Sequence, residues 1–207
     1  MVRVKICGVT NLEDALFAVK SGADAIGFVF YSKSKRYIPP EIAREISFNL
    51  PPFVSRVGVF VNEPPEKVLK VASFVKLSAV QLHGSEDVRF CEKINEKVTV
   101  IKAFGVSNVS DIERAIEYKK FPILLDTKTD TYGGSGKTFD WSLILPFRKE
   151  FRYLILSGGL NPDNVEEAVR KVKPFAVDVS SGVEVFPGKK DHRKVEEFIK
   201  KAKGLWK

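Results

Sequence analysis

Val2-Arg3-Val4-Lys5-Ile6-Cys7-Gly8-Val9-Thr10-Asn11-Leu12-Glu13-Asp14-Ala15-Leu16-Phe17-Ala18-Val19-Lys20, followed after Ser21–Asp24 by Ala25-Ile26-Gly27-Phe28-Val29-Phe30, holds the pattern that decides the fold. A short β-branched run ends at Cys7-Gly8, a stretch of helical period follows, and a second apolar run completes the unit. In the middle segment Leu12, Leu16, Phe17 and Val19 form one apolar side, while Glu13, Asp14 and Lys20 take the other. Asn11 stands where the first backbone N–H groups of a helix need a cap. The run Ile26–Phe30 has no polar face, as burial of a parallel strand on both sides requires.

Outward from this unit, the same alternation repeats eight times. Strands are predicted over 2–7, 25–30, 54–61, 79–83, 98–104, 123–126, 153–157 and 175–180. Amphipathic segments follow over 12–21, 40–48, 65–74, 87–95, 109–118, 141–145, 164–171 and 193–202. Pro39-Pro40 and Pro64-Pro65 pre-set helical φ at two helix starts. Ser110 and Asn161-Pro162-Asp163 supply capping chemistry at two more. Eight units in 207 residues leave about 26 residues each, near the minimum for a strand, a helix and two loops. An open doubly wound sheet rarely carries eight such units in regular order. The expected fold is α/β, a (β/α)8 TIM barrel of eight parallel strands. No linker or composition shift interrupts residues 1–207, which are expected to form a single catalytic domain.

Composition narrows the function. The chain is 44% hydrophobic and carries a net charge of +8, so it folds on its own core and favours anionic partners. Basic residues are interleaved with Glu and Asp in solvated helix faces rather than in blocks. A nucleic-acid-binding module would need a clustered basic face with stacking aromatics, and Phe28, Phe30 and Phe60 sit instead in apolar strands. Cys7 and Cys91 are the two cysteines and form no CxxC or Cys/His cluster, so neither a structural metal nor a disulfide is expected. Neither a membrane span nor a signal peptide is expected from this pattern, and a cytoplasmic location is expected. Gln81 and Met1 are the sole residues of their types beside abundant Lys and Glu, which resembles a heat-adapted composition.

Chemistry in such a barrel gathers at the C-terminal strand ends. These carry Cys7, Arg36 beyond Tyr31, His83, Asp126, Ser157-Gly158-Gly159, Asp178 and Ser180-Ser181-Gly182. Two small-residue loops after the last two strands suit an oxyanion, because backbone N–H groups can approach it closely; tight turns alone would also use glycine. A thiol at a strand end is more often core, yet Cys7 faces the mouth before Gly8, and with Asp126 it offers a base and an acid that need no cofactor. Arg36 has the fork that fits a carboxylate, though a basic loop is also an ordinary solvated surface. His83 is either a satisfied polar residue or a site contact, and His192 reads as a helix-start residue. Gly133-Gly134-Ser135-Gly136-Lys137-Thr138 lacks the first glycine of a Walker loop, Thr131 standing there, and reads as a mobile loop over the mouth.

Lys5-Ile6-Cys7-Gly8-Val9-Thr10, Val80-Gln81-Leu82-His83-Gly84, Leu125-Asp126, the Gly133–Thr138 loop with Phe139-Asp140-Trp141, Ser157-Gly158-Gly159-Leu160-Asn161-Pro162 and Asp178-Val179-Ser180-Ser181-Gly182-Val183-Glu184 stand in order. End to end, the chain resembles the phosphoribosylanthranilate isomerase family of tryptophan biosynthesis. The resemblance implies an Amadori rearrangement of N-(5-phosphoribosyl)anthranilate to 1-(2-carboxyphenylamino)-1-deoxyribulose 5-phosphate, without cofactor. It implies Asp126 as general acid on the ribose ring oxygen and Cys7 as general base on the C2 proton. Arg36 would hold the anthranilate carboxylate, and Gly158, Gly159, Ser180, Ser181 and Gly182 the phosphate. His83 and Asp178 would contact the sugar. The departures are Val9, where a larger aliphatic is common, and Lys35, where proline is common; neither removes a reacting group. The related phosphosugar-barrel isomerase of histidine biosynthesis uses aspartates at its first and fifth strand ends, where this chain has Cys7 and Phe104-Gly105. A homodimer contact or a simple barrel cover would each account for Phe48, Pro51, Pro52 and Phe53.

Overall fold

The structure is a computed structural model and describes residues 1–128 and 138–204. The strands are β1 (Arg3–Cys7), β2 (Ala25–Val29), β3 (Ser55–Phe60), β4 (Ala79–Leu82), β5 (Thr99–Val106), β6 (Ile123–Thr127), β7 (Leu154–Leu156) and β8 (Ala176–Val179). They pair in parallel, in chain order, and β1 closes the ring on β8. The helices α1 (Leu12–Lys20), α2 (Pro40–Asn49), α3 (Pro65–Val75), α4 (Val88–Asn95), α5 (Val109–Ile116), α6 (Val165–Val172) and α7 (His192–Ala202) follow the strands. The predicted (β/α)8 barrel is therefore the observed one.

Three local expectations change. The sixth connection, Trp141–Glu150, is a 3-10 helix twice the predicted length; Pro146 inside it lacks the N–H that a regular α-helix would use. Helix α5 is capped by Asn108, whose side chain accepts from the Asp111 N–H, rather than by Ser110, whose hydroxyl bonds to Asn108 Oδ1 at 2.6 Å. After β8 the chain adds a hairpin, β9 (Glu184–Phe186) against β10 (Lys189–Lys190), in the stretch between 180 and 193 for which no strand is predicted. The glycine-rich segment read as a mobile loop lies, apart from Thr138, outside the described residues.

Two cores hold the barrel. The larger lies between the strands' outer faces and the helices. The smaller plugs the barrel from within: Val57, Ala79, Ile101, Ala103, Leu124, Ile155 and Ala176. Strand side chains alternate in direction, so the residue two places on from each plug residue also points inward, one layer higher. In β4 that step leads from Ala79 to Gln81 and then His83, in β6 from Leu124 to Asp126, and in β8 from Ala176 to Asp178. The strands are thus not apolar on both faces throughout, because their inner face turns polar toward the C-terminal end. There it lines a mouth rather than a core. A buried brace supports that rim: Lys102 on β5 pairs with Glu86 at 3.1 Å and donates to the carbonyls of Leu82 (3.1 Å) and Gly84 (2.8 Å). The Lys102 ammonium thereby ties down the loop that carries His83.

Candidate active site

A cavity of about 830 Å³, open to solvent, lies at the C-terminal ends of the strands. It brings together Cys7, Arg36, His83, Asp126, Gly158, Gly159, Asp178, Ser180 and Ser181. Gly182 does not line it. A Cβ there would strike the Leu160 carbonyl oxygen, so Gly182 is the point where the β8 loop rests on the β7 loop.

Asp126 ends β6, and its Oδ1 accepts the Thr127 N–H at 2.7 Å. Burial first, and then the negative Asp178 nearby, raise its pKa to about 6. A carboxyl near that value can give up a proton at neutral pH, as a general acid must. Its Oδ2 stands 3.7 Å from His83 Nε2. His83 is pushed down to about 4 by burial and by the positive charges of Lys102 and Lys5, so its ring is neutral at physiological pH.

Cys7 ends β1 with a free, buried thiol. Its pKa is raised above the ordinary thiol value because burial outweighs the pull of Lys5 and Lys190, with Asp178 adding to the rise. Gly27 on β2 makes room for the sulfur: a Cβ there would come within 2.7 Å of Sγ. Below lies Lys5, 3.2 Å from Asp178 Oδ1 and 2.6 Å from Gln81 Oε1.

Arg36 reaches the pocket in a different state from the free fork that the sequence suggested. Its Nε donates to both carboxylate oxygens of Glu184, at 2.9 and 3.1 Å, and its Nη2 to Oε2 at 2.7 Å. One edge of the guanidinium is therefore occupied, and three of its five N–H hydrogens lie outside that pairing. Glu184 is kept ionised, below its ordinary pKa: burial opposes this, and Arg36 and Lys190 prevail. Lys190 in turn donates to the Cys7 carbonyl at 2.6 Å and to Glu184 at 2.8 Å. Glu184, Lys190, Lys5 and Gln81 are site supports that the strand-end reading passed over. Strand parity held the signal for two of them, since Lys5 precedes Cys7, and Gln81 precedes His83, by two positions.

Gly158 and Gly159 have φ of +86° and +62°, which only glycine adopts without strain. A Cβ on Gly158 would strike the Thr127 backbone and hydroxyl, so the first of these glycines also permits close packing on β6. Beside them the buried Ser180 and Thr127 hydroxyls have no hydrogen-bond partner among the described residues. Two glycines and two unspent hydroxyls form a cradle for an oxyanion. Among the described residues no group of His, Cys, Asp and Glu is arranged to hold a metal ion.

A model of the N-(5'-phosphoribosyl)anthranilate (PRA) isomerase family matches residues 4–201. The chain belongs to this family. It is 73% identical to the N-(5'-phosphoribosyl)anthranilate isomerase of Thermotoga petrophila, over 99% of this chain and all of that one. A crystal structure of phosphoribosyl anthranilate isomerase with reduced 1-(o-carboxyphenylamino)-1-deoxyribulose 5-phosphate superposes with a TM-score of 0.93 at 69% identity, covering 99% of this chain and all of that one. Monomers generated from the dimeric Thermotoga maritima enzyme superpose at 0.91 with 66% identity and the same coverage. The heat-adapted composition agrees with that kinship.

Proposed function

We propose that Cys7 and Asp126 carry the reaction of this PRA isomerase, the conversion of N-(5'-phosphoribosyl)anthranilate to 1-(2-carboxyphenylamino)-1-deoxyribulose 5-phosphate in tryptophan biosynthesis. Asp126 gives its proton to the ribose ring oxygen as the C1–O bond breaks, and the anilino nitrogen lone pair forms the iminium. Cys7, as thiolate, takes the C2 proton; the C–H electrons become the C1=C2 bond of an enolamine, which tautomerises to the ketone. The observation that carries this assignment is the pairing of a carboxyl raised to about 6 with a thiol across one mouth, beside an oxyanion cradle. Protons move within one molecule, so an acid and a base suffice.

The substrate's two anionic ends fit opposite sides of the pocket. Gly158, Gly159, Ser180 and Ser181 suit the phosphate, with Gly182 holding their two loops together. The hydrogens of Arg36 not spent on Glu184 suit the anthranilate carboxylate, and His83 and Asp178 lie near the sugar between them. Arg36→Ala is expected to raise KM roughly 10–100-fold with a smaller change in kcat, as loss of a charged hydrogen-bonding partner to a carboxylate implies. Steady-state kinetics would check it, and a kcat loss at unchanged KM would move Arg36 out of the binding role. The activity test is direct. Anthranilate and phosphoribosyl pyrophosphate are condensed by a transferase, and decay of the fluorescent phosphoribosylanthranilate is followed with and without the protein. Background decay with folded protein would sink the assignment.

Residues 1–207 read as one catalytic domain, supported by the closure of β1 on β8. A cytoplasmic location is supported by two buried free thiols, which fit a reducing compartment. A homodimer is supported by an apolar face at the other end of the barrel, where Phe53, between α2 and β3, is 99% exposed and Phe48, near the end of α2, is 60% exposed. In light scattering, the wild type should run as a dimer and Phe53→Asp as a monomer; a monomeric wild type at tens of micromolar would refute this. Among the described residues no helix is long and apolar enough to cross a membrane.

A further inference from the structure

Lys5 is a buried cation that the acid–base chemistry above does not use. It shares the inner face of β1 with Cys7 two residues on, and it pairs in register with Asp178 of β8. Its ammonium reaches across the barrel to β4, 2.6 Å from Gln81 Oε1, while staying 3.2 Å from Asp178 Oδ1. Lysine has only hydrogens to give, so the Gln81 amide must turn its oxygen to Lys5 and its NH2 to His83 Nδ1, 3.0 Å away. The neutral ring accepts at Nδ1 and therefore carries its own proton on Nε2, the nitrogen that faces Asp126. One ammonium thus stands beneath the sulfur and, through one amide, sets the ring that faces the carboxyl.

We infer that Lys5 is a positioning residue for both proton-transfer groups: its charge favours the Cys7 thiolate, and through Gln81 it fixes the His83 tautomer that presents an N–H to Asp126. The inference rests on the acid–base assignment above. Around the sulfur stand Lys5 of β1, Asp178 of β8, Lys190 of β10, and Arg36, whose side chain packs against Gly8. Lys190 and Arg36 both pair with Glu184, which offsets part of their field. Lys5 gives the strongest opposition to the burial that raises the thiol. Asp126 faces Asp178 and the same Lys5. Burial works against the charge on Lys5, but Asp178 and Cys7 hold its pKa above the ordinary lysine value, so it stays cationic through the working range.

The test is alkylation of Cys7 by iodoacetamide from pH 6 to 10, read by peptide mass mapping so that Cys91 is counted separately. In Lys5→Met the alkylation profile should move at least one pH unit upward, about a tenfold slower reaction at pH 8. Its kcat should fall about 100-fold with KM within about threefold of wild type. Gln81→Glu keeps the side-chain shape should the Met variant fail to fold. Its carboxylate would partner the Lys5 charge and could not donate to Nδ1, so the same upward move and a kcat loss are expected. An unchanged Cys7 profile in the folded variants, or a rise in KM alone, would overturn the inference. Failure of the base assignment shows elsewhere: Cys7→Ser at wild-type turnover would remove the base and leave the alkylation result standing.

Discussion

Cys7→Ser is expected to lower kcat by about 10²–10⁴-fold, the contribution of a positioned base. The substitution is close to isosteric, and Gly27 already leaves the space that the larger sulfur occupies. What changes is acidity. A thiol raised by burial still yields thiolate as pH rises, whereas a serine hydroxyl in the same buried place ionises at no useful pH. Binding of the phosphate and carboxylate should persist, so KM should move far less than kcat. Steady-state decay of substrate fluorescence, with circular dichroism to confirm the fold, would measure both. Turnover within threefold of wild type would end the assignment of Cys7 as base.

For Asp126→Asn a loss of similar size is expected, with two further signatures. The active form needs Asp126 protonated and Cys7 ionised, although the carboxyl, at about 6, is the stronger acid of the two. Below pH 6 the thiolate fraction falls tenfold per unit while the carboxyl is already protonated, so kcat/KM falls. Between 6 and the raised thiol pKa, the gain in thiolate cancels the loss of protonated carboxyl, and the profile is flat. Removing the carboxyl should abolish the break near pH 6 and leave a residual rate that climbs with pH toward the thiol pKa. A break that persists would assign it to another group.

The second signature is stability. The folded pKa lies above the unfolded value of about 3.9, so the group costs nothing below pH 4 and penalises the fold as pH rises through 6. The penalty at neutral pH is about 3 kcal/mol. Asp126→Asn should therefore melt higher than wild type at pH 7–8, and the two should converge near pH 4. A variant less stable at pH 8 than wild type would contradict the buried-carboxylate account.

Much of this was legible in the letters. The eightfold alternation of short, mainly apolar runs with stretches of helical period points to a barrel, because parallel strands covered by helices favour near-continuous apolar runs. Barrel geometry then sends attention to strand ends, where Cys7, Asp126, Asp178 and the two glycine loops stand. The capping error at Ser110 and the 3-10 segment around Pro146 were local contests, decided by which side chain reached the first free N–H and by a missing N–H.

The long-range pairs were beyond any local rule. Lys5 and Gln81 lie 76 residues apart, and Arg36 and Glu184 lie 148 apart. Nothing in the basic loop around Arg36 says that one edge of its guanidinium will be spent on a carboxylate from the last hairpin. The sequence by itself determined the barrel, the mouth and the candidate acid and base, because hydrophobic period and strand polarity are local quantities. Closure of the ring decided which charges share a low-dielectric interior. Only that closure pushes a carboxyl up and a histidine down, since burial and the distances between charges exist only once β1 meets β8.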